Sequence, residues 1–280
     1  MQTDNRINLL DYDRHSLIRY CEEIGEPSYR ATQLIKWIHQ LGVTDFEVMT
    51  NLSKKLRKRL SSCAEIKPPE IQSESSSRDG TRKWLLAVGN NNAIETVFIP
   101  ENERGTLCVS AQIGCPLSCR FCATARQGFN RNLLVSEIVG QVWLASRLLG
   151  QSPKHKRQIT NVVLMGMGEP LLNVDNVIAA IGLMLDDNAY NFGRKRVTLS
   201  TAGVIPGIDK LSLACPVSLA VSLHAPNNEL RDLLVPINRT YPLAELMAAC
   251  GRYAAANPKH EITFEYVMLK DVNDGITEAR

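Results

Sequence analysis

Three cysteines, Cys115, Cys119 and Cys122, are the residues of this sequence with the clearest chemistry, and they are spaced as C-x3-C-x2-C. Thiolates are the usual ligands of iron–sulfur clusters. Three thiolates bind three irons of a four-iron cubane and leave the fourth iron open, as a cluster that binds a further ligand requires. The spacing therefore predicts a 4Fe-4S cluster on this segment.

Structural zinc is the alternative for the same cysteines. A tetrahedral zinc site needs a fourth ligand, which His155 or Cys108 could supply, but no second ligand pair stands at zinc-like spacing. The eight cysteines of this 280-residue chain are too sparse for a disulfide scaffold, and three of them fall within eight positions. This clustering favours a metal site in a reducing compartment, and we expect the protein in the cytoplasm.

From about residue 105 the sequence alternates predicted strands with predicted helices, which is typical of βαβ units and a parallel sheet. The predicted strands are Thr106–Ala111, Ile159–Met165, Arg196–Thr201, Val217–Leu223 and Ile262–Leu269. The predicted helices are Ser136–Leu149, Val174–Leu185 and Leu243–Ala256. Five such strands indicate an α/β fold with a partial or full barrel, whose active site lies at the carboxyl ends of the strands. The cysteine motif follows the first of these strands.

The first 60 residues have a helical pattern. Leu52, Leu56 and Leu60 recur at helical spacing with basic residues between them, so we predict an amphipathic helix that starts near Asn51 or Ser53. Dense basic runs of this kind can attract nucleic acid. A solvated helix face without a partner is the alternative interpretation.

Residues 63–82 are rich in serine and proline, which favours a loop or linker. Two strands around a turn follow, over Lys83–Val88 and Ile94–Ile99. We therefore expect a helical, RNA-binding accessory domain at 1–62, a linker and β-hairpin at 63–104, and the barrel at 105–280.

The composition, 44% hydrophobic and 22% charged, is that of an ordinary soluble globular protein. The net charge of +3 is too small to indicate a polyanionic partner by itself. No stretch reaches the roughly 18 consecutive apolar residues that a membrane span needs. The polar segment Met1–Arg6 lacks the apolar core of a signal peptide, so we expect no membrane association.

Over nearly its whole length the sequence resembles the RlmN family of radical S-adenosylmethionine (SAM) enzymes. The resemblance is carried by Gly114–Leu133, Gly166–Pro170, Val197–Thr201 and Ser222–Pro226. It implies a radical SAM (β/α) barrel and an enzyme that methylates C2 of adenine in 23S rRNA and in certain tRNAs. It also implies that SAM chelates the open iron, that one electron cleaves SAM to a 5′-deoxyadenosyl radical, and that a methylated cysteine carries the methyl group. A radical suits this target because C2 of adenine is electron-poor and cannot displace a methyl group from SAM as a nucleophile.

The resemblance implies roles for individual residues. The positions that match SAM contacts are Gly168, Glu169, Ser200, Ser222, Leu223 and His224. Glu95 matches the family's proton acceptor, and Cys108 matches a cysteine that forms a transient disulfide with the methyl-carrying cysteine. Without the resemblance, the glycines beside Glu169 would indicate only a tight turn, and Cys108 a small buried residue. Likewise, His224 alone would indicate a core histidine and Glu95 the polar face of a strand.

The sequence departs from the family pattern at its carboxyl end. The family's methyl-carrying cysteine lies beyond the fifth strand, whereas this sequence stops at Arg280, where Thr277 begins a predicted helix. We therefore expect a truncated chain that binds the cluster and SAM but cannot complete methyl transfer.

Two other functions remain open from the sequence. The adenine-C8 methyltransferases are near relatives, although Gly128–Leu133 resembles the C2 family more closely. A non-catalytic RNA-binding module with a structural metal is the alternative from another class. For the enzyme, the expected partners are 23S rRNA, tRNA and an electron donor such as a flavodoxin, and we expect a monomer.

Overall fold

The computed structural model describes residues 6–151 and 157–279 of the chain. Within these residues the strands are β1 (Ile7–Asn8), β2 (Ala64–Glu65), β3 (Glu70–Ser76), β4 (Arg82–Ala87), β5 (Ala93–Glu101), β6 (Arg104–Cys108), β7 (Gln112–Gly114), β8 (Phe129–Asn132), β9 (Asn161–Leu164), β10 (Val197–Thr201), β11 (Ser218–Ser222) and β12 (Ile262–Glu265).

The helices in the same part of the chain are α1 (Arg14–Glu23), α2 (Tyr29–Ile35), α3 (Lys54–Cys63), α4 (Ala123–Arg126), α5 (Val135–Leu148), α6 (Val174–Leu185), α7 (Ile205–Ala214), α8 (Asn228–Leu234), α9 (Leu243–Ala256) and α10 (Ile276–Ala279). None of the described helices is both long and apolar enough to cross a membrane. The amino-terminal segment Met1–Asn5, the candidate ligand His155 and the last residue, Arg280, lie outside the described residues.

Two contact-rich units make up the chain. The first consists of the described parts of 1–107, 134–161 and 179–193, and it contains α1, α2, α3 and α5 together with strands in the order β3-β4-β5-β6. Its amphipathic helix is confirmed: α3 is capped by Ser53 Oγ, which accepts from the Leu56 N–H at 3.1 Å, and Leu56 and Leu60 are buried. The capping hydroxyl satisfies an N–H that the first helical turn leaves unpaired.

One expectation for this unit is wrong. Part of the predicted loop at 63–82 is strand β3, which pairs antiparallel with β4, with Glu74 opposite Trp84. All seven residues of β3 are exposed. Since neither face of the strand is buried, its sequence needs no apolar alternation, and the serines and glutamates that suggested a loop suit an edge strand.

The second unit comprises 108–133, 162–178 and the described part of 194–280. Strands β9, β10, β11 and β12 lie side by side in that order and are all parallel, with Leu199 opposite Leu219 and Leu219 opposite Ile262. Helix α7 connects β10 to β11, and α8 and α9 lie between β11 and β12 in the chain. The predicted α/β class is confirmed, and the predicted bounds of α6 and α9 agree with the structure.

Strand β12 ends at Glu265, four residues before the predicted end at Leu269. Beyond Glu265 the backbone bonds to side chains instead of to β11: the Val267 N–H donates to His224 Nδ1 at 3.1 Å, and the Leu269 N–H donates to Asn273 Oδ1 at 2.6 Å. The apolar run that predicted a longer strand therefore forms a loop at the carboxyl end of the sheet.

Candidate active site

The cysteine motif occupies the connection between the antiparallel strands β7 and β8. Gly114 lies opposite Phe129, and the Cys115 N–H donates to Gly128 O at 3.0 Å. Gly114 has φ +71°, and an ideal Cβ at this position would lie 1.7 Å from Gly128 O. Glycine is thus required where the chain enters the cysteine loop.

Helix α8 supports the middle of the loop. The Arg120 N–H donates to Leu234 O, at the end of α8, at 3.1 Å. Cys119 packs against a buried apolar cluster, and Leu117 and Phe121 pack there with it. The buried members of the cluster are Ala202, Ala225, Leu234 and Val235.

All three cysteines line one cavity of about 310 Å³ in the second unit. This volume is at the lower end of those found for small-molecule sites. The lining also includes five of the six positions that the resemblance assigns to SAM, namely Gly168, Glu169, Ser200, Ser222 and His224. The sixth, Leu223, is not among the described lining residues, and its N–H donates to Glu265 O at 3.0 Å.

Burial raises the pKa of the Cys115 thiol to about 11 and that of the Cys119 thiol to about 12. For Cys119 the neighbouring charges of Cys115 and Cys122 add to the increase. As thiolates, three cysteines that line one small cavity would repel one another. A bound cationic group would offset this repulsion between thiolates, since a thiol that coordinates a metal loses its proton.

The donor set fits a cluster. In the part of the chain that the structure describes, no three His, Cys, Asp or Glu side chains surround one point where a single metal ion would bind. The thiolates of a cubane each bind a different iron, so three cysteines that line one cavity suit a cluster. Of the two fourth ligands considered for zinc, Cys108 is not among the described lining residues of the cavity, and His155 is outside the described residues.

Glu169 follows β9 and is 3% exposed. Its Oε1 accepts from the Leu171 N–H at 3.1 Å, and its Oε2 accepts from the Ala202 N–H at 2.7 Å. Burial raises the pKa of this carboxyl, and these hydrogen bonds oppose the increase. The carboxyl thereby joins the turn after β9 to the end of β10. Gly168 precedes it with φ +93°, where an ideal Cβ would lie 2.4 Å from the Gln112 side chain.

A second carboxylate in the cavity was not anticipated from the sequence. Glu265 Oε2 accepts from the hydroxyls of Ser200 at 2.6 Å and Ser222 at 3.2 Å. All three residues stand at the carboxyl ends of neighbouring parallel strands and line the cavity. A polar residue at that position of β12, matching the serines of β10 and β11, was the available signal.

His224 follows β11 and has φ +60°, a strained value for a residue with a Cβ. Its Nδ1 accepts from the Val267 N–H, so the neutral imidazole carries its proton on Nε2. Burial lowers the pKa of the ring, and the ring meets Phe121 edge to face at 4.7 Å. Asn273, also missed from the sequence, donates from Nδ2 to His224 O and Val267 O, both at 2.8 Å.

Two predicted residues lie apart from the cavity lining. Cys108 ends β6, accepts a hydrogen bond from the backbone of Met165, and has a pKa that burial raises to about 11. Glu95 belongs to the first unit, where it lies on β5 and forms a half-exposed ion pair with Lys83 at 2.9 Å. The described cysteines, all eight of them, are free thiols.

Two family models match the chain. Residues 7–66 match the ribosomal RNA large subunit methyltransferase N-terminal domain, and residues 109–279 match the radical SAM superfamily. Among solved structures, the crystal structure of a radical SAM methyltransferase from Sphaerobacter thermophilus is similar, with a TM-score of 0.88 and 40% sequence identity. That match covers 98% of this chain and 80% of the other. The chain belongs to the RlmN family of radical SAM methyltransferases. Membership in the superfamily implies a 4Fe-4S cluster and SAM, and it confirms the family and the radical SAM fold expected from the motifs.

Proposed function

We propose that this protein is an enzyme for the methylation of C2 of adenine in 23S rRNA and in tRNA, and that methyl transfer itself needs a further cysteine to carry the methyl group. The observation that carries the proposal is one cavity lined by the three cysteines of the C-x3-C-x2-C motif, the Glu169 turn and the ends of three parallel strands. The match of residues 7–66 to a ribosomal RNA methyltransferase domain supports RNA as the substrate.

Cys115, Cys119 and Cys122 would hold the cluster. When bound, the cluster supplies the single electron that cleaves SAM to a 5′-deoxyadenosyl radical. Around the cysteines the chain contributes apolar side chains, Leu117, Phe121 and Val235, which line the cavity and exclude water and other hydrogen donors from it.

The proposed SAM contacts are Gly168, Glu169, Ser200, Ser222, Leu223 and His224. His224 holds a proton on Nε2 and can donate it in a hydrogen bond to a ligand. The hydroxyls of Ser200 and Ser222 donate to Glu265, so their lone pairs are available as acceptors. The site thus offers a donor and two acceptors in fixed orientations.

Two further roles are proposed from the resemblance. Glu95 accepts the proton that the adenine ring loses, and its exposure on β5 leaves the carboxylate accessible to a substrate. Cys108 forms a transient disulfide with the cysteine that carries the methyl group. Burial favours the thiol form of Cys108, so this residue requires a base or an approaching cation before it reacts.

We assign RNA binding to the domain at 1–62, which precedes the antiparallel strands within 63–104 and the proposed barrel at 105–280. Three lysines of α3, Lys54, Lys55 and Lys58, are exposed, and we call them the α3 lysine face. The neighbouring arginines are engaged elsewhere: Arg57 donates to Glu47 O, and Arg59 donates to Ile24 O at 2.6 Å. The lysines therefore supply the phosphate contacts. We further propose a cytoplasmic monomer that receives its electron from a flavodoxin-type donor.

The test begins with anaerobic reconstitution of the protein and of Cys119→Ala. About four irons per chain, with 5′-deoxyadenosine formed from SAM under dithionite, support the enzyme, whereas one zinc per chain supports the RNA-binding module. Because methyl transfer is expected to need a second cysteine, RNA is assayed with this chain and with a version extended at its carboxyl end. Nucleoside mass spectrometry then separates 2-methyladenosine from 8-methyladenosine. Equal 5′-deoxyadenosine from Cys119→Ala, or 8-methyladenosine as the product, contradicts the proposal.

A further inference from the structure

Arg231 is a fully buried charged side chain, 0% exposed, in helix α8. Its Nε donates to Leu223 O at 3.1 Å, and its Nη1 donates to Asn238 Oδ1 at 2.9 Å. Its Nη2 donates to Ala202 O at 2.7 Å and to Ser222 O at 3.1 Å. The guanidinium thus bonds to the chain at the carboxyl ends of β10 and β11, beside residues that line the cavity.

All four acceptors are neutral, since three are backbone carbonyls and one is an amide. Within the described residues the guanidinium donates to no carboxylate, and Asp232 reaches it only through Asn238, whose Nδ2 donates to Asp232 Oδ1 at 2.6 Å. A buried charge without a direct counter-charge is costly, because hydrogen bonds to dipoles replace only part of the lost hydration. A negative group bound near Arg231 would supply the missing counter-charge.

The cysteine loop offers a candidate for that group. Cys119 packs against the buried cluster that includes Ala202 and Leu234. Ala202 O accepts from Arg231, and Leu234 lies in the same helix as Arg231. The guanidinium and a proposed cluster ligand therefore border the same buried apolar cluster, where screening by water and salt is weak.

We infer that Arg231 is a positioning residue that supplies a fixed positive charge to the cluster site. The inference rests on the proposed function and concerns a charge that the cysteine motif itself does not provide. Loading the site places three thiolates in the cavity wall, and one-electron reduction by an external reductant adds one further negative charge to the cluster. A fixed cation stabilises the site that holds the cluster relative to the empty site. It also stabilises the reduced cluster relative to the oxidised cluster. Net charge near a cluster is one of the factors that set its potential.

Three variants separate the charge from the hydrogen bonds. Arg231→Lys keeps the charge and loses the planar fork, whereas Arg231→Met loses both. Arg239→Met removes the same charge from an exposed position just after the same helix, where water screens it, and serves as the matched control. Circular dichroism of each apoprotein establishes whether it folds.

The experiment is a redox titration of the reconstituted full chain with dithionite, in which the reduced cluster is followed by electron paramagnetic resonance. Arg231→Met is expected to titrate at a more negative potential than the wild type and to lose iron to a chelator faster. Arg231→Lys should lie close to the wild type, and Arg239→Met should coincide with it.

An unchanged potential in Arg231→Met with a full iron content overturns the inference. So does a shift in Arg231→Lys as large as that in Arg231→Met, because the fork rather than the charge would then matter. If Arg231→Met does not fold, Arg231→Gln takes its place as a neutral variant that keeps amide donors. A wild-type chain that binds no cluster contradicts the proposed function itself, and the two failures are thereby distinguished.

Discussion

Replacement of Asn273 by alanine tests how the loop after β12 fixes His224. Asn273 is 2% exposed, and its side chain makes three hydrogen bonds: Oδ1 accepts from the Leu269 N–H at 2.6 Å, and Nδ2 donates to His224 O and Val267 O. At about 1 kcal/mol for each bond, the loop should lose about 3 kcal/mol of local stability in Asn273→Ala. The strain of His224 at φ +60° acts in the same direction, because Asn273 no longer opposes its release.

The measurement is hydrogen exchange by mass spectrometry on peptides that span 265–274. Since about 1.4 kcal/mol corresponds to a tenfold change, the amides of this loop should exchange on the order of 100-fold faster in Asn273→Ala. Asn273→Asp retains the acceptor for the Leu269 N–H and should give a smaller increase. Lys270→Ala, at an exposed position of the same loop, is the control. Equal exchange in Asn273→Ala and Lys270→Ala would refute the reasoning.

Three further outcomes are expected. In urea unfolding, the free energy of unfolding of Gly168→Ala should be about 1–3 kcal/mol lower than that of the wild type, because the added Cβ would overlap the Gln112 side chain at a positive φ. By contrast, Gly182 lies in α6 with open space around it, so Gly182→Ala should raise the free energy of unfolding by up to about 1 kcal/mol. Equal urea midpoints for the two variants would contradict this reasoning. Charge reversal of the α3 lysine face should lower the slope of log K for RNA against log salt by about 2, at about 0.7 per phosphate contact, while Lys270→Glu leaves it unchanged. Burial lowers the pKa of His39 to about 4. The folded state therefore binds fewer protons than the unfolded state between pH 4 and 6.5, so the protein should be about 2 kcal/mol less stable at pH 5 than at pH 7. His39→Gln should reduce this pH dependence, while the part due to His224, whose pKa burial also lowers, should remain. A pH dependence in His39→Gln as large as that of the wild type would contradict the prediction.

The sequence predicted the parts of the site that have local signals. The three cysteines are recognisable from their spacing, and the turn at Gly168 and Glu169 follows an apolar segment that predicts a strand. The resemblance assigned Ser200, Ser222 and His224 to one site, and all three line one cavity.

The residues that orient this site were not predictable in the same way. In the sequence, nothing distinguishes Arg231 from the other charged residues near it, and nothing distinguishes Asn273 from an ordinary turn residue. Their partners, Ala202 and His224, are 29 and 49 positions away in sequence, so the roles exist only after the sheet has formed. The edge strand β3 was not predicted for a related reason. Its conformation is determined by its pairing with β4, and its own composition does not indicate a strand.

The carboxyl of Glu169 has a consequence for how such a site can change in evolution or by design. Its two oxygens accept from the backbone N–H groups of Leu171, in the turn after β9, and of Ala202, just after β10, while the residue also lines the cavity. A substitution there alters the scaffold and the binding surface together, so it can seldom be neutral for either. Altered ligand preference is more accessible at Met165 or Leu117, which line the cavity with apolar atoms and can vary in size without removing a polar partner.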